Sequence, residues 1–195
     1  MKAGLIIFYN FAEDKETESF PFDSPLPQVN NFFIYFTNMD IELLTVGKTT
    51  IKFVADAIAE YEKRLKRYIP YKITSLPDVK NAKSLTEEKQ KQAEGELILS
   101  RLTQSDYVVL LDEHGKEFTS MEFATYLQKQ MLAGRKRTVF IVGGPYGFSE
   151  EVYARADGKI SLSRMTFNHE MVRAFFTEQV YRAMTILRGE PYHHE

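Results

Sequence analysis

The chain has 195 residues, no cysteine, 44% hydrophobic side chains and a formal net charge of −2. That length suffices for one domain with a substantial core. The lack of cysteine excludes a disulfide scaffold and a thiolate metal site and fits a reducing cytoplasm, and the near-neutral charge excludes a general nucleic-acid coat, so any RNA contact needs a local basic patch.

No apolar run approaches the roughly 20 residues of a membrane helix. The apolar stretch 4–8 is too short for a signal-peptide core and leads to Glu13, Asp14, Glu16 and Glu18 rather than to a small-residue cleavage site. Residues 1–38 mix aromatics, acids and prolines without a sustained period, and the prolines at 21, 25 and 27 exclude a helix there. They carry two lysines against five acidic side chains, whereas residues 39–195 hold 23 basic against 22 acidic. Residues 1–38 therefore read as an N-terminal extension and 39–195 as the domain; the competing reading adds a strand over 31–36 to a sheet edge.

Residues 41–46 read as the first strand. The Gly47-Lys48-Thr49 that follows is not a phosphate loop, because that motif needs a glycine five residues before the Gly-Lys pair and position 42 is Glu. Ile51, Val54, Ala55, Ile58, Leu65 and Tyr68 recur at three- and four-residue steps, which predicts a helix over 50–68 with Lys63, Arg64, Lys66 and Arg67 at its end. Pro70 stops it, and 71–76 reads as the second strand. Ser84 with Glu87 has the pattern of a capping box for a helix to about 103. The continuously apolar 106–111 reads as a strand buried in a parallel sheet, ending at Asp112. Thr119 with Glu122 is a second capping box, for a helix to 132 closed by Gly134. Residues 138–142 form a further strand, ending in the turn 143–147 and a helix capped by Ser149. A short strand over 159–162 and a loop over 163–167 precede a long helix capped by Asn168 and stopped at Gly189 and Pro191. Strands and helices alternate throughout, which predicts an α/β fold with a mostly parallel sheet and helices on both faces.

Three loops follow strands in the second half: Leu111-Asp112, Gly143-Gly144, and the run Leu162, Ser163, Arg164, Met165, Thr166, Phe167. Ligands of open α/β sheets bind at such carboxyl ends, and glycine lets the backbone approach closely. The four histidines show no metal-ligand spacing, so no metal is expected. The last helix is apolar around most of its circumference, which calls for burial on more than one side and points to a symmetric homodimer.

The sequence GGPYG at 143–147, LSRMTF at 162–167, HEMVR at 169–173, QVYRA at 179–183 and PYHH at 191–194 closely resembles the SPOUT-superfamily ribosomal RNA large-subunit methyltransferases that methylate N3 of a pseudouridine in 23S rRNA. The resemblance covers residues 39–195. It implies a trefoil knot in the last third, a homodimer, the 23S rRNA of the ribosome as partner and S-adenosylmethionine as methyl donor, held by Leu111, Gly143, Leu162, Ser163, Arg164, Met165, Thr166 and Phe167. Methylating an imide nitrogen needs its proton removed and the anion stabilised, so a base and a cation are required. His169, Arg173, Arg182, Tyr192 and His193 are the candidates; the family's elements match at His169, Arg182, Tyr192 and His193. Arg173 is expected on the same side of the helix as His169. Asn168 stands where many relatives of this family have proline. Two other readings remain open at this stage. One is a different nucleotide-binding α/β enzyme, although no G-x-G-x-x-G follows any strand. The other is a non-catalytic RNA- or ribosome-binding protein.

Overall fold

The computed structural model describes residues 39–193, so the extension and strand readings for residues 1–38 lie outside the described residues. Five strands alternate with five helices: β1 (Asp40–Val46), α1 (Lys52–Leu65), β2 (Tyr71–Leu76), α2 (Glu87–Leu99), β3 (Tyr107–Glu117), α3 (Ser120–Leu132), β4 (Arg137–Val142), α4 (Glu150–Arg155), β5 (Gly158–Ser161) and α5 (Met171–Leu187). The strands form one sheet in the order β2-β1-β4-β3-β5, with every pairing parallel.

The inner strands are apolar at successive positions because both faces are covered. Side chains alternate by the period of two. Ile41 and Leu43 of β1, Val109 of β3 and Phe140 and Val142 of β4 enter one core, closed by Leu65 of α1, Phe123 and Leu127 of α3, and Phe176 and Val180 of α5. Leu44 and Val46, Val108 and Leu110, and Val139 and Ile141 enter the other, beneath Ile98 of α2 and Val152 of α4. The first core is centred on Phe123, Phe140 and Phe176, whose rings lie 4.7 to 6.3 Å apart between centroids. The helix that follows β4 thus covers the opposite face from the helices that follow its neighbours β1 and β3. Crevices between strands whose connections diverge in this way are where α/β sheets take ligands, and β4 has one on each side.

Four local expectations are corrected. The predicted Ser84–Glu87 box does not form. Asn81 adopts a left-handed conformation (φ 57°) that starts a 3-10 turn over Ala82–Ser84, and the Ser84 hydroxyl turns back to donate to the Asn81 carbonyl at 2.8 Å. Thr86 caps α2 instead, accepting from the Lys89 N–H at 3.4 Å, and the helix ends at Leu99 rather than near 103. β3 does not stop at Leu111. It continues to Glu117 with a register shift between Leu111 and Lys116, and Gly115 there passes so close to the Ile160 and Ser161 backbone that any Cβ would collide with it. Finally, Ser149 heads α4 without a capping bond from its hydroxyl. The Thr119–Glu122 box is present in both directions, at 3.2 and 2.7 Å.

Candidate active site

The register sets the three strand-end loops side by side. Leu111 lies opposite Val142 of β4 on one side and Ile160 of β5 on the other. Gly143 and Leu162 therefore follow the ends of β4 and β5, and Leu111 lies between those strands on β3, at its register shift. Leu111 and Leu162 are half-buried and pack against the first core. At Gly143 an added Cβ would lie 3.0 Å from the Phe148 ring and 3.2 Å from the Gly147 carbonyl, so the turn folds tightly over this position. In the last loop the Ser161 hydroxyl donates to the Ser163 carbonyl at 2.8 Å, and the Ser163 hydroxyl accepts the Met165 N–H at 2.9 Å. Arg164 pairs with Glu117 at 3.1 Å on the surface, Met165 is 71% exposed, Thr166 is exposed, and the Phe167 ring packs on Phe175 at 5.0 Å.

Asn168 does cap the entry to α5: its Oδ1 accepts from the N–H of Glu170 at 2.8 Å and of Met171 at 3.4 Å. His169, two residues beyond Phe167, is exposed. Arg173 is not its companion on one side. It is 1% exposed and donates to the carbonyls of Val46 (2.8 Å), Gly47 (3.0 Å) and His169 (3.1 Å) and to the Thr49 hydroxyl (3.0 Å). His169 is exposed while Arg173 is buried, so the two do not share a solvent-facing side. Arg173 is thus a buried tie between α5 and the end of β1, with no atom free for a substrate nucleotide.

Arg182, Tyr192 and Glu178 form a second group on α5 and the segment after it. Arg182 donates to Glu178 Oε1 through Nε (3.0 Å) and Nη2 (2.6 Å), the Tyr192 hydroxyl donates to the same oxygen at 3.2 Å, and the Arg182 guanidinium lies 4.8 Å from the Tyr192 ring centroid. Tyr192 also meets the Tyr61 hydroxyl at 3.3 Å and stands edge-on to Tyr181 at 4.8 Å. Burial, then Tyr61 and the Glu178 carboxylate, push the Tyr192 phenol well above its ordinary value. Its hydroxyl is thereby kept as the donor to Glu178. His193 follows directly. His169 is not part of this group: thirteen residues of largely helical chain separate it from Arg182, about 20 Å along the axis.

Sequence reasoning missed three side chains. Glu178 is the acceptor that gathers Arg182 and Tyr192; its place one turn before Arg182 was the available signal. Asp112, next to Leu111, accepts from the Tyr153 hydroxyl of α4 at 2.6 Å and from the His114 N–H at 2.7 Å. Burial and this carboxylate push the Tyr153 phenol up to about 12. Glu94 of α2 is buried against the Gly144 backbone. Elsewhere, a cleft of about 390 Å³ lined by Lys66, Arg67, Tyr68, Tyr71 and Lys72 lies at the amino ends of β1 and β2, at the opposite end of the strands from the three loops.

A family model described as "Predicted SPOUT methyltransferase" matches residues 39–193. Curated relatives share this stretch. A protein of Parabacteroides distasonis named "Ribosomal RNA large subunit methyltransferase H" is 60% identical over 157 residues, 80% of this chain and 100% of the relative. Proteins of the same name from Christiangramia forsetii and Porphyromonas gingivalis are 58% identical over 156 residues and 57% over 157, each covering 80% of this chain and 99% and 100% of the relative.

Proposed function

The chain belongs to the SPOUT methyltransferase family, and on that premise we propose that it transfers a methyl group from S-adenosylmethionine to N3 of a pseudouridine in 23S ribosomal RNA, on the assembled ribosome. It does so as a cytoplasmic homodimer whose last third is threaded as a trefoil knot. The observation that carries this reading is the register that sets Leu111, at the register shift of β3, between Gly143 after the end of β4 and Leu162 after the end of β5, with His169 just beyond the last loop in sequence.

The residues suit such a donor. Leu111 and Leu162 offer apolar surface to a purine, and the glycines at 143 and 144 let backbone groups reach its edge. When bound, the donor supplies an electrophilic methyl group. The chain's own part is to orient the target base, take the N3 proton and hold the resulting anion. His169 stands beside the loops as one such group. Arg182 is thirteen positions further along the chain, about 20 Å of axial rise, and Tyr192 and His193 lie in the segment after α5, so we assign them to the site of the partner subunit. A symmetric dimer packed through α5 would bring the second group of one subunit to the loops of the other, a composite site. Phe175 of α5, 43% exposed, and Phe53 of α1, 64% exposed, are apolar surface suited to that contact.

The test is transfer of a labelled methyl group from S-adenosylmethionine to ribosomes isolated from cells lacking this gene. Label in 23S rRNA, at N3 of one pseudouridine, supports the reading. Label nowhere in the rRNA, with donor binding also absent, would favour a non-catalytic RNA-binding protein instead.

A further inference from the structure

The stripe that α2 turns to the protein is Glu94, Gly95 and Ile98. A helix normally buries apolar side chains on such a stripe, and a glutamate with its neighbouring glycine is an odd choice for packing. Glu94 is 4% exposed. Its Oε1 accepts from Gln90 Nε2 at 2.8 Å, while Oε2, also buried, has no hydrogen-bond partner. The charged group that weighs on it among the described residues is Asp78, a second carboxylate. A buried acceptor left unpaired in this way is costly unless something else satisfies it.

Its position says what that is. The carboxylate faces the second glycine of the β4 turn, and a Cβ at Gly144 would collide with it. Gly144 follows Gly143, one of the three loop positions assigned to the donor. Glu94 therefore lies against the β4 turn from the α2 face. We propose that Glu94 Oε2 is the anchor for the ammonium group of the donor's amino-acid end, an inference that rests on the reading of the loops as a donor site. The sulfonium is excluded as its partner on chemical grounds. The sulfonium carries the methyl group and must face the RNA, and a carboxylate aimed at it would be a competing methyl acceptor. An ammonium has no such reactivity and supplies the donors that the orphaned oxygen lacks.

Calorimetric titration of the dimer with three ligands tests this. S-adenosylmethionine carries both ammonium and sulfonium, S-adenosylhomocysteine only the ammonium, and 5′-methylthioadenosine neither. Glu94→Gln keeps an oxygen for Gln90 and removes the charge. It should weaken S-adenosylmethionine and S-adenosylhomocysteine alike, by about 10- to 100-fold, the scale of a hydrogen bond to a charged group. Binding of 5′-methylthioadenosine should stay as in the wild type, and the melting temperature should not fall. Equal weakening of all three ligands, weakening of S-adenosylmethionine alone, or no weakening would each overturn the assignment. If Glu94→Gln does not fold, Glu94→Met, similar in length and free of a buried polar atom, carries the same expectation. If the wild type binds none of the three, the donor reading itself fails and the anchor falls with it; if it binds them and the variant does not discriminate, only the anchor fails.

Discussion

Glu170 and Arg173, one helical turn apart at the start of α5, grip the same β1–α1 connection from opposite electrical sides. The Glu170 carboxylate accepts from the N–H groups of Thr50 (2.6 Å) and Ile51 (2.9 Å) and from the Thr50 hydroxyl (2.8 Å), where α1 begins. The Arg173 guanidinium donates to the carbonyls of Val46 and Gly47, where β1 ends. Between them they satisfy orphan backbone groups at a strand end and a helix start, and they fix the entry to α5 on which His169 sits.

Arg173→Ala should therefore act on stability. It removes the guanidinium donor from the buried Val46 carbonyl and leaves the Gly47 carbonyl with only the long 3.4 Å bond from the Thr45 hydroxyl, at about 1–3 kcal/mol for a buried group left unsatisfied. Arg173→Lys should recover little, since one ammonium cannot span the fork of carbonyl acceptors. Denaturant midpoints of the two variants check this; wild-type midpoints would contradict the tie.

The Glu170 carboxyl is held below the ordinary carboxylate range by the Ile51 N–H first, then by the Thr50 hydroxyl and N–H. Its native pKa is lower than its unfolded one. The stability it contributes is thus complete above its unfolded pKa and is lost as pH falls through its native pKa. Melting temperature should drop on acidification from about pH 5 to pH 3, and Glu170→Gln should lower the plateau and flatten that part of the curve. A variant curve parallel to wild type would dismiss the linkage. Glu94 runs the other way: burial raises its carboxyl pKa, so without ligand its contribution is lost as pH rises.

Arg182→Ala and His193→Ala should each lower methylation roughly 10²-fold or more, the scale of losing an acid–base group or an anion partner, with donor affinity unchanged. Tyr192→Phe keeps the ring under Arg182 but removes the bonds to Glu178 and Tyr61, so its effect should be smaller. Single-turnover rates alongside donor titrations separate the two. A loss of donor binding in Arg182→Ala would move this residue out of the nucleotide-binding role.

The proposed composite site predicts complementation between subunits. Gly143→Val presses on Phe148 and on the Gly147 carbonyl, which should deform the turn and abolish donor binding. Mixed with Arg182→Ala subunits, it should regain activity, because one of the two sites in a heterodimer is intact. Heterodimers that form and stay inactive would place each site within one subunit.

A chain beginning at Met39 should fold, dimerise and methylate like the full-length protein. A melting temperature lower by many degrees would make residues 1–38 part of the core.

The sheet was legible because β4 and the first half of β3 are apolar in continuous runs and the other strands lie between clear stops: β2, a partly polar edge strand, falls at the expected residues 71–76, between Pro70 and Pro77. β3 was read short because its last six residues, from Asp112 to Glu117, are polar around a glycine. Their pairing with β5 depends on a register shift that no periodicity announces. Ser84 and Thr86 both fit an N-cap, and the left-handed Asn81 decided between them. The strand-end loops were visible as glycines and small residues after apolar runs. Glu94 was not, since a glutamate within EEKQKQAEGELIL reads as solvated until the turn at Gly144 is folded onto it. Arg173 was legible as a cation, but its burial comes from the way α5 crosses the end of β1, a relation between segments about 125 residues apart.

Mass spectrometry of 23S rRNA from cells with and without this gene tests the central claim most directly. The account predicts that one methylated pseudouridine loses its methyl mass in the deletion strain. The mass should return on expression of the wild-type chain and stay absent with Arg182→Ala. A 23S rRNA unchanged by the deletion would contradict it.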